Sequence, residues 1–417
     1  MKTKLFSNIG YLALAQIGTY LLPLITIPYI SRTVGVSNYG LIEYATVAML
    51  YFISIVEFSF NTTSTRKIAA NRNNFKKISL IYSSALFARL FFLLISTIIF
   101  AACLFLIPEF KSQYKLMILA YPVVLGWAVY PLFLFQGLQE LKVIAFGNLS
   151  LKVLATILIF IVINDEADFI YVAAINGGAQ LLISLGILIY VPYKFKEVKL
   201  FWPSWRPIKA SIYEGRFIFT SDFFNKVYAM GSVFIAGFYV SPASLGLYAA
   251  GMKLIIVGKS FIFQPLLGAL FPHLNEKFKE SKEGFLKQLR KTLLILLAVT
   301  GTASTTLMLF SEFFINLIFG NEYSGAAHLL FIMAPILTLS SFVHIYLYQG
   351  VLTYKKDKIY LGIIVLGGLV TLLLNVLFIP KYGVTGAAYI RLIGEAFLAI
   401  VSFIAFQRIK QKEMLKP

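Results

Sequence analysis

The sequence predicts an all-α membrane protein: twelve transmembrane helices in two parallel six-helix bundles. Three observations carry this. The chain of 417 residues is 59% hydrophobic and only 13% charged, with a mean hydropathy of +0.82, whereas soluble domains run nearer 45–50% apolar and about 25% charged. Apolar runs long enough to cross a bilayer, about 20 residues each, recur along its whole length. The second half of the chain also repeats the first.

By run length the spans are 9–31, 40–62, 79–107, 115–138, 142–163, 169–191, 212–240, 246–272, 291–319, 325–352, 359–379 and 383–406. The N-terminal "MKTKLFSNIG" leads into the first run without a small-residue cleavage site, so it reads as a spanning helix and not as a removable signal. The longest connectors, around 192–211 and 273–290, are rich in Lys and Arg. Twelve crossings put both termini on one side. The loops and termini of that side hold 26 of the 37 Lys and Arg, the opposite loops hold four, and seven lie within spans. The positive-inside rule then makes the termini and basic loops cytoplasmic. Much of the net charge of +19 is therefore a topology signal and not a nucleic-acid footprint.

Around "YPLFLFQGLQELKVI" (130–144) and "VHIYLYQGVLTYKKD" (343–357) the halves align at an offset of 213, with Gln136-Gly137 on Gln349-Gly350. Six spans per half is even, so both halves begin on the same face. That arrangement is a parallel repeat about an axis along the membrane normal, with an N-terminal bundle over 1–205 and a C-terminal one over 206–417. Prolines interrupt several spans (Pro23, Pro28, Pro122, Pro131, Pro265, Pro335). Each removes a helical hydrogen bond and bends its helix.

Several chemistries are excluded. The run "YAAGMKLIIVGKSFIF" ends in Gly258-Lys259-Ser260, but six residues separate Gly251 from Gly258. A phosphate-cradling loop needs four, between a strand and a helix. "NDEADFI" carries the letters of a helicase motif in a short outer loop, without a nucleotide fold around it. No ATP site is visible, so transport would run on a gradient or downhill. The single Cys103 and three scattered histidines give no metal-ligand spacing, and no cofactor is implied. No outer loop is long enough for a polymerase or ligase, so the chain reads as a non-enzyme.

A charge at mid-bilayer costs about 2.5–3.5 kcal/mol on insertion scales, so such residues face a cavity or a partner. The basic ones are Arg89, Lys152, Arg216, Lys226, Lys253, Lys259 and Arg391; the acidic ones are Glu43, Glu57, Asp222 and Glu395. Asp222 and Lys226 lie four apart, as do Arg391 and Glu395, and each pair shares a helix face. Lys253, Lys259 and Arg89 have no acid within reach on their own helix. Either they line a cavity or an acid such as Glu43 or Glu57 meets them across a bundle. The excess of bases suits an anionic substrate. The candidate binding residues are Lys253, Lys259, Arg89, Lys226 and Arg391; candidates for ion coupling are Glu57, Asp222 and Glu395.

"NIGYLALAQIGTYLLPLITIPYISRTVGVSNYGLIEYA" (8–45), with Gln16, Pro23, Pro28, Ser31-Arg32 and Tyr39-Gly40, resembles the opening of the Wzx-type polysaccharide flippases of bacterial O-antigen and capsule synthesis. "EFSFNTTSTRKIAANRNN" (57–74) with Arg66, "LGLYAAGMKLI" (245–255) and "YGVTGAAYIRLIGEAF" (382–397) with Glu395 resemble later parts of the same family, in the same order. The resemblance spans essentially the whole chain. It implies a MATE-like fold, in the superfamily of multidrug exporters and lipid II flippases, without the two additional spans of the latter. It implies an undecaprenyl-pyrophosphate-linked oligosaccharide as substrate, moved by alternating access across the bacterial cytoplasmic (inner) membrane, with H+ or Na+ as coupling ion and the glycan polymerase machinery as partner. A cation-coupled multidrug exporter is the alternative; it would be expected to favour acids in its cavity.

Overall fold

The computed structural model describes residues 2–414; for residues 2–21, 264–269, 271, 272 and 414 it describes the backbone alone. Gln16 and Pro265 therefore have side chains outside the described residues. Among the described residues every regular element is a helix. Among the described residues nine stretches are long and apolar enough to cross a membrane, and the chain is a multi-pass membrane protein.

The chain divides into two compact units, residues up to Phe223 and residues from Phe224 onward. The first unit opens with α1 (Lys2–Glu57), two helices joined at Gly35, whose φ of 75° and ψ of 168° are not helical. Only glycine adopts that region without strain, and a Cβ there would also come within 3.3 Å of Glu166 Oε1. Predicted spans one and two flank this joint. α1 ends where Phe58 takes a φ of 44°, and α2 (Phe60–Ala70) follows. The sequence predicts most of that stretch to be a basic loop. It is helical because Phe60, Thr63, Ser64 and Ile68 form one buried face, while the basic residues ride on the other side.

α3 (Phe75–Leu106) is a single long span. A short α4 (Pro108–Ser112) leads into the fourth span, which prolines break into α5 (Tyr114–Ala120), α6 (Pro122–Val129) and α7 (Leu132–Gly137). α8 (Leu141–Val162) and α9 (Phe169–Lys194) agree with the predicted spans to within a few residues. The connector after α9 lies along α3: Ser79 Oγ accepts from the Lys199 N–H at 2.9 Å and Ser83 Oγ from that of Phe201 at 3.2 Å. α10 (Trp205–Ala236) starts earlier than expected and contains the division between the units. Its first half is fastened by a Lys67–Glu214 ion pair at 2.6 Å and by Phe219 stacked on Phe58 at 4.4 Å.

The second unit continues with α11 (Pro242–Glu280) and α12 (Lys282–Leu309). The expected loop over 273–290 is almost entirely helical, and Ser281 alone separates the two helices. Its Lys, Glu and Leu residues are good helix formers, Leu274, Phe285 and Leu289 are buried, and Ser281 Oγ caps α12 by accepting from the Gly284 N–H at 3.1 Å. After α13 (Ser311–Ile318), the tenth span breaks into α14 (Ala326–Met333), α15 (Ile336–Phe342) and a π-helix over Val343–Val351. α16 (Asp357–Met414) is again two helices, joined at Gly383 with φ 57° and ψ −144°.

The repeat read from the sequence has a structural counterpart. At the same offset of 213, Pro122 at the start of α6 corresponds to Pro335 just before α15, and the break at Tyr130 corresponds to the start of the π-helix at Val343. Gly137 and Gly350 also correspond. A Cβ would approach Ile68 Cγ2 to 2.6 Å at the first and Phe406 Cδ2 to 2.5 Å at the second. Each unit thus needs a side-chain-free residue at the same point of its broken span.

Candidate functional site

The clearest constellation of charge lies inside the second unit. The helix that follows Gly383 carries Arg391 and Glu395 one turn apart, the spacing at which side chains meet. Both are about 2% exposed. Arg391 Nη2 lies 3.2 Å from Glu395 Oε2. Three other helices supply further partners. From α11, Lys259 Nζ donates to both carboxylate oxygens, at 3.1 and 3.3 Å. From α15, Ser340 Oγ donates to Oε1 at 2.6 Å. From α10, the Tyr228 hydroxyl donates to Oε2. The same Tyr228 ring lies under the guanidinium, with Arg391 Cζ 4.3 Å from its centroid, a cation–π contact.

Two cations and one carboxylate leave this cluster one positive charge in excess. Glu395 is saturated by donors, which is what allows a carboxylate to remain charged inside protein. Arg391 is not saturated: its Nε and Nη1 are buried without a hydrogen-bond partner. Lys259 is the outward-facing member, with 25% of its side chain exposed. The arrangement is thus a buried ion cluster with one partly exposed cation, and its excess positive charge is of the sign that attracts an anion. Polar groups continue alongside. Ser232 Oγ donates to Asn375 Oδ1 at 2.9 Å. Gly394 allows close packing, since a Cβ there would meet Thr371 Oγ1 at 2.9 Å.

The structure therefore brings together Lys259, Arg391 and Glu395 of the predicted residues. Lys226 and Lys253, both half-buried, are not among the partners of Glu395; Asp222 is exposed on α10. In the first unit, Glu57 is the half-buried last residue of α1 and Lys152 is half-buried on α8. Arg89 is about 1% exposed; its Nη1 donates to the Tyr130 carbonyl at 2.7 Å, and its Cζ sits 4.9 Å from the Phe133 centroid. Tyr130 is where the fourth span stops being helical, so Arg89 satisfies a carbonyl released by the break before Pro131. Tyr228 and Ser340 were missed. Their only signal is a hydroxyl in an apolar span, which nothing local distinguishes from the many serines that bond back to their own helix.

The chain is similar to two bacterial proteins described as O-antigen transporters. It is 28% identical to that of Escherichia coli (strain K12) over 400 residues, covering 95% of each chain. It is 26% identical to that of Shigella dysenteriae over 405 residues, covering 94% of this chain and 98% of the relative. A low-salt glycan biosynthesis flippase of Haloferax volcanii is 22% identical over 233 residues, 51% of this chain and 48% of its own. These relatives are transporters and flippases, not enzymes. The fold is that of an inward-facing multidrug resistance MATE family transporter (TM-score 0.71, 14% identity, 98% of this chain and 100% of the other). It is equally that of the lipid II flippase MurJ in an inward closed conformation (TM-score 0.71, 12% identity, 98% and 91%). Residues 5–278 match the family described as polysaccharide biosynthesis protein, and the chain belongs to that family.

Proposed function

We propose that the protein is a flippase that carries an undecaprenyl-pyrophosphate-linked oligosaccharide across the bacterial cytoplasmic membrane, for O-antigen or another surface polysaccharide. The observation that carries this reading is the buried, net-positive Lys259–Arg391–Glu395 cluster in a chain whose relatives are O-antigen transporters and a glycan flippase. A diphosphate head group is a multiply charged anion, and a cationic, partly dehydrated site is what would hold it.

Twelve crossings in two six-helix bundles remain the topology we favour. Two of the nine apolar stretches, of 49 and 57 residues, are twice the length a bilayer needs. Each contains one non-helical glycine, Gly35 or Gly383, between predicted spans. Counting each twice and adding the more polar α10 gives twelve. The termini and basic loops then face the cytoplasm. The head group enters from that side, and the two bundles rock to release it outward while the prenyl tail stays in lipid. Lys259 and Arg391 form its primary contact, with Lys253 and Lys226 as further cationic candidates. Glu395, Asp222 or Glu57 would couple the cycle to H+ or Na+, and the emerging units would pass to the polymerase machinery.

The test is deletion of the gene with quantification of surface glycan and of lipid-linked repeat units. Loss of surface glycan with build-up of complete, unpolymerised lipid-linked units is the expected result. Normal display without build-up, in a strain lacking a redundant flippase, would remove this reading and favour drug export.

A further inference from the structure

A second concave site in the same unit has a different chemistry. The first turns of α12, the π-helix and the end of α16 line an open pocket of about 570 Å³. Its wall on α12 is graded. Glu283, Lys287, Arg290 and Leu294 follow one another at spacings of four, three and four, so they form one stripe along the helix. At 1.5 Å per residue the stripe is about 16 Å long. It begins in charge and ends in an apolar side chain that is 58% exposed. Leu289, Leu293 and Phe406 make the pocket's floor, and Lys410 of α16 joins the rim. Lys287, Arg290 and Lys410 form no ion pair with a described residue.

The remaining wall contains Ile345 and Tyr346 of the π-helix. Such wide turns are rare and concentrate at functional sites. The counterpart of this segment in the first unit, α7, is an ordinary α-helix. The repeat is thus broken at the pocket.

We infer that this pocket binds an anionic phospholipid, its phosphodiester on Lys287, Arg290 and Lys410 and the upper part of an acyl chain on the Leu289–Leu293–Leu294–Phe406 surface. A gradient from cationic to apolar over about 16 Å is the profile of a lipid aligned with the helix, head group at the basic end. A free phosphate would have no use for the apolar floor. The lipid-linked glycan fits less well: Glu283 on the rim opposes a multiply charged diphosphate more strongly than a singly charged phosphodiester. The bound lipid would brace the C-terminal end of α16 against α12.

The full chain, purified in detergent, is titrated with phosphatidylglycerol and with phosphatidylcholine, and adducts are quantified by native mass spectrometry. Phosphatidylglycerol is expected to be retained preferentially. The K287Q/R290Q/K410Q variant should lose that preference by about tenfold or more. A K196Q/K199Q/R206Q control, on exposed bases of the first unit, should keep it. Glu283→Gln should strengthen retention a few-fold, a gain that misfolding cannot produce. Equal retention of the two lipids, or a triple variant that holds phosphatidylglycerol as tightly as the parent, would overturn the inference. Displacement of phosphatidylglycerol by polyprenyl diphosphate at lower concentration would also overturn it, by giving the pocket to the transported substrate.

Discussion

Among the described residues Arg89 and Arg391 are the two sealed guanidiniums, one in each unit, and they are held by different acceptors. Arg89 meets a neutral carbonyl at the break in the fourth span and the face of Phe133. Arg391 meets a carboxylate that it shares with Lys259, over the face of Tyr228. The first caps a carbonyl left open by a broken helix. Both keep buried N–H groups unused, Nε in Arg89 and Nε with Nη1 in Arg391, but only the second shares a carboxylate, with the partly exposed Lys259. Burial of a positive charge is common to both; what differs is the acceptor, a main-chain carbonyl for Arg89 and a shared carboxylate for Arg391.

The largest effect should come from removing the shared acid. Glu395→Ala leaves the sealed Arg391 and the partly exposed Lys259 without their acid, which costs about 3–5 kcal/mol; a fall in thermal stability of the purified protein together with loss of glycan export is the expected outcome. Arg89→Met should cost about 1–3 kcal/mol by orphaning the Tyr130 carbonyl, with export per folded molecule largely preserved. If export instead vanished at unchanged stability, the contrast between the two arginines would break, and Arg89 would return to the substrate path. Tyr228→Phe removes a donor to an ionised carboxylate and should lose about 1.5–3 kcal/mol, measured by denaturation of the same preparations. Lys259→Gln removes a charged donor to both oxygens of a buried carboxylate and should cost about 1.5–3 kcal/mol, while Arg391 still pairs with Glu395. Export per folded molecule, measured as surface glycan, should drop sharply. Gly383→Ala is the smallest, about 1 kcal/mol, from forcing a side chain to a positive φ.

The same contrast explains what could be read from the chain. Arg391 and Glu395 are legible as a pair because a spacing of four is a property of one helix. Lys259 is 136 residues from Glu395, and no local rule connects them; the meeting depends on how α11 packs against α16. Arg89 has no acid within reach on its own helix, and its hydrogen-bond acceptor is main chain; local sequence does not show which side chain will reach a carbonyl left open at a helix break. Span positions were legible from run length, and α8 and α9 came within a few residues. The stretches 60–70 and 273–290 were not. Their charge reads as loop, while the buried faces that keep them helical hold only a few apolar residues each.

Gly35 and Gly383 bear on how this molecule can be probed. Each joins two long helices through a single residue, so there is no slack chain at either place. A protease finds no cleavable segment, and an inserted epitope has to pull apart a hydrogen-bonded helix to make room. Reporter tags placed there would report damage, not orientation. Topology mapping at these two joints therefore calls for the least intrusive label available, a single substituted cysteine read by a membrane-impermeant thiol reagent.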